Sequence, residues 1–594
     1  MNMQKTLVRL IYNSVSKHSP NEGFIFTKRG NSYEGICRED LFSRIFALKN
    51  YFEGMHFYVH DKFAIISENR IEWVITDIAS ILSGIITVPI YTSLSTESVK
   101  YILKDSKCSV CFVSNSLQLE KIVSIKNELP DLKLIISFND LDAKHLSEDV
   151  ISFNSITGKS EKLKRLDILK LLEKSLERIS EDDVLTIIYT SGTTGVPKGV
   201  LLTQKNFYVN LIDCMKVLNL NEHDTFLSYL PYSHIFERTA GYYLALVTGA
   251  KIYYAQSIDT IGVQMTEVKP TIVITVPRLL DKMYNKLMKS TDEMPHGYRR
   301  RMFLWAMYVA KAYGRNKSSL KWKIADRLVF SKIRAKTGGR LKYFVSGGGA
   351  LNKNIGEFFD SIGIQTLEGY GMTETSPVIS VNRPGNNIYG TIGMPLDTVK
   401  VKIAEDGEIL VKGELVMKGY YNDEEETKRT IIDGWLHTGD LGEWTTGKHL
   451  RITDRKKSLF KSSGGKYVAP AHIEDLMLGI HYVDQILVIG NERMYVTALI
   501  VPEYSELKNY AKKHGISFHN ETELLKNSEL MKLIEKDINK AQTNLSAYEK
   551  IRKFTLLEKP FTIEAGELTP TLKIKRKIVE EKYSSVIEKM YPKV

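Results

Sequence analysis

The chain has 594 residues, of which 43% are apolar and 26% charged, and it carries a formal net charge of +12. That length is too great for one hydrophobic core and implies roughly three to five domains or subdomains of an ordinary globular protein. Four cysteines, Cys37, Cys108, Cys111 and Cys214, exclude a disulfide scaffold and fit a reducing compartment. The N-terminal stretch MNMQKTLVRLIYNSVSKHSP has Lys5 and Arg9 but neither an unbroken apolar core nor a small-residue cleavage site, so it is not read as a signal peptide. Leu7, Leu10, Ile11 and Val15 share one helical face, which predicts a surface helix.

Further along, short β-branched runs alternate with helical patterns. FAIISEN (63–69), SGIITVPIY (83–91), KCSVCFVS (107–114), KLIISF (133–138), VLTIIYTS (184–191), AKIYYA (250–255), PTIVITV (270–276) and LKYFVSGG (341–348) are predicted strands. This alternation predicts an α/β class with largely parallel sheets. The longest apolar run, IASILSGIITVPIY (78–91), is broken by Gly84 and Pro89 and is too short to span a bilayer. Cys108 and Cys111 form a CxxC inside an apolar strand, without a second pair or a neighbouring histidine pair, so buried free thiols are expected rather than a zinc or redox site.

The positive charge is concentrated. Between Tyr298 and Lys342 stand 14 Lys/Arg and one acid, Asp326, so this stretch alone carries +13 and the remainder is close to neutral. Phe303, Trp305, Tyr308, Tyr313, Trp322 and Phe330 interleave with the cations, a pattern that fits peripheral contact with an anionic membrane. A solvated helical face is the plainer alternative, and nucleic acid is disfavoured because no base-reading module accompanies the charge. The texture changes near 433–457, where DGWLHTGDLGEW and GKHLRITDRKKSLFKSSGGKYVAP suggest a hairpin running into a Gly-rich turn. HIEDLMLGI, VDQILVIG and YVTALIVP follow as helix, strand and strand, predicting a small α+β domain. The expected division is 1–453 and 454–594.

Chemistry enters at YTSGTTGVPKGV (189–200). A Walker A lysine follows glycine and precedes Ser or Thr, whereas Lys198 follows Pro197 and precedes Gly199, so the P-loop NTPase reading fails. Backbone N–H groups of a Gly/Thr-rich loop at a strand end can still wrap an anion, with Lys198 adding a point charge. A bare surface loop is the competing reading, and the companions decide against it. LEGYGMTETSPV (367–378) offers a flat tyrosine ring, a threonine hydroxyl and a glutamate suited to Mg²⁺. GWLHTGD places Asp440 where it can accept from ribose hydroxyls, and DRKKSLFKSSGGK and ELTPTLKIKRKIV supply Arg455, Lys457, Lys461 and Lys573.

Together YTSGTTGVPKGV, GYGMTET, WLHTGD, DRKKSLFKSSGGKYVAP and PTLKIKR resemble the adenylate-forming acyl-CoA synthetases, the AMP-binding or ANL superfamily, in that family's order and over most of the chain. LPYSHIFER (230–238) and the basic insert look like its long-chain fatty acyl-CoA synthetase branch. The resemblance implies a large N-terminal body of stacked mixed and parallel sheets plus a small mobile C-terminal lid. It implies ATP, Mg²⁺ and CoA as cofactor and cosubstrates, and ligation of a long-chain fatty acid through an acyl-AMP. Thr190, Ser191, Gly192, Thr193, Thr194, Gly195 and Lys198 then match the phosphate loop. Gly347, Gly348 and Gly349 with Glu368, Gly369, Tyr370 and Gly371 match the adenine slot. Thr373 and Glu374 match the α-phosphate contact and the metal ligand, with Thr190 as second metal contact. Asp440 and Arg455 match the ribose clamp, Lys457 the hinge, Lys461 the thioester half-reaction and Lys573 the adenylation lysine.

Two departures stand out. Thr571-Leu572-Lys573 lacks the glycine common before that lysine, which keeps Lys575 as a rival, and Gln204 replaces the histidine often found after the loop. His234 is either a substrate-site residue, by analogy, or a satisfied core histidine. Glu237 lies on the same face if the segment is helical, and pairing with Arg238 or capping a turn is its plain role. Two other readings stay open: a fatty acyl-AMP ligase serving a carrier protein, and a catalytically silent nucleotide-binding or membrane-docking protein. The expected location is cytoplasmic, with a peripheral position on the inner membrane face left open.

Overall fold

The computed structural model describes residues 4–141, 147–191, 196–292, 294–314, 316–456, 460–463, 466–563, 565–569 and 573–591. The chain divides into two compact units. One comprises Met1–Lys402, Leu410–His437 and Thr445–Leu450, and the other Ile403–Ile409, Thr438–Trp444 and Arg451–Val594.

The first unit contains two large mixed sheets. In the eight-stranded sheet the order is Gly419–Tyr420, Pro197–Thr203, Val184–Ser191, Ile86–Ile90, Lys62–Ile66, Val110–Val113, Leu134–Ser137 and Val150–Ser152. From Val184–Ser191 outward the pairing is parallel, while Pro197–Thr203 returns antiparallel and carries Gly419–Tyr420 on its edge. The nine-stranded sheet includes Gln365–Gly371, Tyr343–Ser346, Ile272–Thr275, Thr225–Ser228 and Lys251–Tyr254 as parallel neighbours, with antiparallel strands at both edges. All eight runs predicted as strands are strands. Their β-branched, unalternating composition follows from burial on both sheet faces, as in Val110–Val113, where every residue is buried. Cys108 and Cys111 are free and buried in this layer, and burial pushes the Cys108 thiol up to about 12.

The long apolar run proves to be two elements. Helix Ile71–Ser83 ends on Gly84 in the left-handed region at φ +71°, and strand Ile86–Ile90 follows. Among the described residues no helix is long and apolar enough to cross a membrane. The N-terminal helix Leu7–Lys17 is capped by Thr6 and buries Leu7, Leu10, Ile11 and Val15, as its periodicity predicts.

A fully buried ion pair ties these elements together. Arg238 donates to Asp77, to Thr186 and Thr87 at 2.8 Å each, and to the Tyr243 hydroxyl at 2.9 Å. Tyr243 in turn donates to Asp77 at 2.8 Å, and the guanidinium lies 5.2 Å from the Trp73 ring centroid. Arg238 and Asp77 are both 0% exposed. Removing either partner would leave a buried charge uncompensated, at a cost of roughly 3–5 kcal/mol. Glu237 is not among these partners of Arg238.

The basic segment forms helices Tyr298–Tyr313, Leu320–Ala325 and Ser331–Ala335, with a wider turn at Asp326–Phe330. Its aromatics are not one exposed stripe. Phe303, Trp322 and Phe330 are buried in a core with Leu280, Phe344 and Phe359, because helical periodicity turns every third or fourth residue inward. Tyr298, Trp305 and Tyr308 face solvent, together with Leu304, Leu320, Ile324 and Leu328.

In the second unit helix Pro470–Leu478 precedes the antiparallel strands Val483–Ile489 and Val496–Pro502, and Ile551–Leu556 adds in parallel. Helices Tyr504–Lys513, Glu521–Lys526 and Ser528–Ala541 contribute Leu507, Leu524, Leu530 and Ile534 to its core. The strand, helix, strand, strand, helix order read from the sequence is present.

Candidate active site

The phosphate-loop residues Gly192, Thr193, Thr194 and Gly195 lie outside the described residues, as does Lys457. The strands flanking the loop are described, and they pair Thr190 with Lys198 and Ser191 with Pro197. Strand pairing thus holds the loop's two ends together. Lys198 is held by Glu426, with Nζ to Oε1 at 2.5 Å, and stands 5.5 Å from the Tyr420 ring centroid. Tyr420 donates its hydroxyl to Glu374 Oε1 at 2.9 Å. Burial first, and then the Glu374 charge, push the Tyr420 phenol far above its ordinary value, so it remains a donor. Glu374 is buried in the turn Thr373–Thr375, and its backbone carbonyl accepts from Met417 N at 2.8 Å. One network inside the first unit therefore joins two residues singled out in the sequence, Lys198 and Glu374, through two that were not, Tyr420 and Glu426.

Strands Tyr343–Ser346 and Gln365–Gly371 are adjacent, so the turn Gly347, Gly348, Gly349 and the residues Glu368, Gly369 and Tyr370 come from neighbouring strand ends. Two glycines are required by close approach. A Cβ at Gly371 would fall 1.8 Å from the Pro377 carbonyl oxygen, and one at Gly347 would meet the Phe236 ring at 2.9 Å. Glu368 is buried and accepts from Leu351 N at 2.9 Å, which fixes the segment after the glycines. Tyr370 is buried, and Gly348 and Gly349 are exposed.

His234 precedes a turn of wider helical pitch, Glu237–Tyr243. Its Nδ1 accepts from Phe236 N–H at 3.2 Å, which leaves Nε2 as the donor of the neutral ring. Glu237 is buried beside Gly241 and accepts from Ser228 Oγ at 2.6 Å. Burial pushes its carboxyl up to about 8, against the Ser228 hydrogen bond, so it is protonated at neutral pH.

Asp440, Arg455, Lys461 and Lys573 belong to the second unit. Asp440 is buried, and Arg455 Nε donates to its Oδ1 at 2.7 Å. Lys573 bonds twice to Thr569, whose N donates to the Lys573 carbonyl at 2.8 Å and whose Oγ1 accepts from Lys573 N at 3.0 Å. Lys573 is exposed as a residue. Desolvation first, then repulsion by Arg455, bring it down to about 8, with Asp440 pulling the other way. Lys575 instead stands at the N-terminus of helix Arg576–Lys582 and donates its N–H to Glu567 O at 2.7 Å. Lys461 pairs with Tyr467 in a two-stranded ribbon, exposed, and its carbonyl accepts from Glu492 N at 2.8 Å.

These geometries define a checkable quantity. Amine-acylating reagents attack only the neutral lysine, so Lys573 in the ligand-free protein should be modified half-maximally near pH 8, where ordinary lysines require pH above about 10. Asp440→Asn removes the attraction that favours the charged form and should move the midpoint lower still. Peptide-resolved labelling against pH measures both. A Lys573 midpoint above about 10 would contradict the lowered value.

Residues 23–421 match the sequence profile of the AMP-binding enzymes, and 458–594 that of the AMP-binding enzyme C-terminal domain. The chain is 32% identical over 545 residues to long-chain-fatty-acid–CoA ligase FadD15 of Mycobacterium bovis, covering 90% of this chain and 88% of that one. It is 33% identical over 558 residues to long chain acyl-CoA synthetase 7, peroxisomal, of Arabidopsis thaliana, covering 89% and 77%. The solved adenylation domain of a carboxylate reductase from Mycobacterium chelonae shares the fold with a TM-score of 0.78 at 21% identity, over 99% of this chain and 91% of that one. With a matching profile over most of its length and relatives above 30% identity along nearly the whole chain, this protein belongs to the AMP-binding enzymes, in the long-chain acyl-CoA synthetase branch.

Proposed function

We propose that the enzyme joins a long-chain fatty acid to CoA in two steps, through an acyl-AMP. In the first, a fatty-acid carboxylate oxygen attacks the α-phosphorus of ATP, the bond to the β-phosphate bridge breaks, and pyrophosphate leaves. In the second, the CoA sulfur attacks the acyl carbonyl carbon, loses its proton, and displaces AMP. The observation that carries this reading is the network of Lys198, Tyr420 and Glu374, a cation and a carboxylate held together beside the Gly/Thr-rich loop. Lys198 binds the β- and γ-phosphates as a point charge. Gly347, Gly348, Gly349, Glu368, Gly369, Tyr370 and Gly371 take the base, Tyr370 by stacking, and Asp440 and Arg455 take the ribose. Thr373 contacts the α-phosphate, and His234 Nε2–H faces the acyl carboxylate. Lys573 neutralises charge that develops as carboxylate and α-phosphate meet. The chain is divided functionally at 453/454 into a body and a lid that pivots at Lys457, and Lys461 serves the thioester step.

Glu374 and the Thr190 hydroxyl are hard oxygen donors, the set that suits Mg²⁺ when substrate phosphates and water complete its shell. The buried Glu374 carboxylate, oriented by Tyr420 at 2.9 Å, fits that role. When bound, Mg²⁺ supplies positive charge at the phosphate oxygens.

The test is isotopic exchange between pyrophosphate and ATP, with a sixteen-carbon fatty acid and with or without CoA. Exchange without CoA, and acyl-CoA plus AMP on adding it, are expected. Exchange that never yields a thioester would instead indicate an acyl-AMP ligase, and no exchange with any carboxylate a silent nucleotide-binding protein.

We also propose a cytoplasmic enzyme whose basic segment docks on an anionic leaflet. Tyr298 (77% exposed), Tyr308 (67%) and Leu320 (73%) stand beside exposed cations such as Arg301, Lys321, Lys323 and Arg327. Each basic residue near such a surface contributes about 1 kcal/mol, and apolar side chains add interfacial burial. Co-sedimentation with phosphatidylserine vesicles should be strong at low salt, fade at high salt, and fall at least severalfold in Tyr308→Asp/Leu320→Asp. Absence of binding at low salt would leave the segment an ordinary exposed insert.

A further inference from the structure

In this structure the phosphate-loop lysine has an acidic partner, and the partner is not on its own strand. Glu426 lies on the short helix Glu424–Thr430, whose N-cap Asp423 accepts from Glu426 N at 3.0 Å. The segment before that helix is fastened to the loop's returning strand at two points and to the helix itself at a third. Tyr420 pairs with Val200, Tyr421 N donates to Gly199 O at 2.7 Å, and Tyr420 N donates to Thr427 Oγ1 at 2.8 Å. Glu426 is thus delivered to Lys198 by a braced element. The ion pair is largely shielded, with side chains 16% and 23% exposed. A cleft of about 200 Å³ lined by Lys198, Gly199, Tyr421 and Asp423 opens beside it.

A lysine cannot serve Glu426 and a triphosphate equally well. The Lys198 ammonium in contact with Glu426 is already neutralised, and only an incoming group of greater negative charge would draw it away. We propose that Glu426 is a positioning residue that holds Lys198 in the nucleotide-free enzyme and competes with the phosphates of ATP and pyrophosphate for it. This rests on the assignment of Lys198 to the phosphates and goes beyond it. The consequence is weaker binding of every phosphate ligand that Lys198 touches, and so easier departure of pyrophosphate once acyl-AMP has formed. Mono-anionic or weakly charged ligands do not open the pair.

The experiment compares wild type, Glu426→Gln and Lys198→Ala at low and high salt. Glu426→Gln keeps the shape and removes the charge. The KM for ATP should fall about fivefold at low salt, and inhibition by pyrophosphate should tighten by a similar factor, the size expected for loss of a partly shielded ion pair. The KM for fatty acid should not change, a split that a general loosening of the fold would not produce. The difference should shrink at high salt, where screening weakens the competing pair. Glu426→Asp, which retains the charge, should stay closer to wild type than Glu426→Gln. Lys198→Ala should raise the KM for ATP. If Lys198→Ala leaves that KM unchanged, the phosphate assignment fails and the proposal with it. If Lys198→Ala weakens ATP while Glu426→Gln leaves it unchanged or weakens it too, the assignment stands and competition by Glu426 is overturned.

Discussion

A fatty-acid carboxylate and a phosphate are both anions, and the enzyme must press them together. Two unit charges at 4 Å repel by about 4 kcal/mol at the effective dielectric of a protein surface. Positive charge must therefore stand where they meet. Outside the basic segment this chain is nearly neutral, and in the proposed mechanism individual lysines supply that charge. Lys198 is braced by Glu426 and the Tyr420 ring, and Lys573 sits near an arginine that repels it and an aspartate that attracts it. Desolvation first, then the arginine, brings the Lys573 ammonium down to about 8, and an anion arriving there would raise its pKa and fix its proton.

Arg238 and Asp77 show the opposite use of charge. They lie at 0% exposure, and the guanidinium donates to Asp77, Tyr243, Thr186 and Thr87. Such a pair fixes the register of helix Ile71–Ser83 against Glu237–Tyr243 and so places the turn that bears His234. Glu237, next to Arg238 in the chain, follows a different course: buried without a cation, it keeps its proton instead.

Much of this was legible in the sequence because its causes are local. The eight strand runs, the helix–strand break at Gly84 and the order of the C-terminal elements follow from periodicity and turn residues. GYGMTET declares itself because its backbone must approach the chain closely, as at Gly371. Tyr420 and Glu426 were not legible. In KGYYNDEEET they look like a solvated acidic helix start, and their partners are 46 and 228 residues away. Nor could the sequence sort the aromatics of the basic segment, because inward and outward positions differ only by the helix phase that tertiary packing selects. The pairing of Arg238 with Asp77, 161 residues apart, was hidden for the same reason.

The central claim is that one lysine's charge serves the adenylation step alone. Lys573→Ala, assayed separately for acyl-AMP formation and for thioester formation from presynthesised acyl-AMP and CoA, tests it most directly. The account predicts a loss of about 10²–10³ in the first rate and a change within about threefold in the second. Equal losses in both steps, or a near-normal first step in Lys573→Ala alongside a defective one in Lys575→Ala, would contradict it.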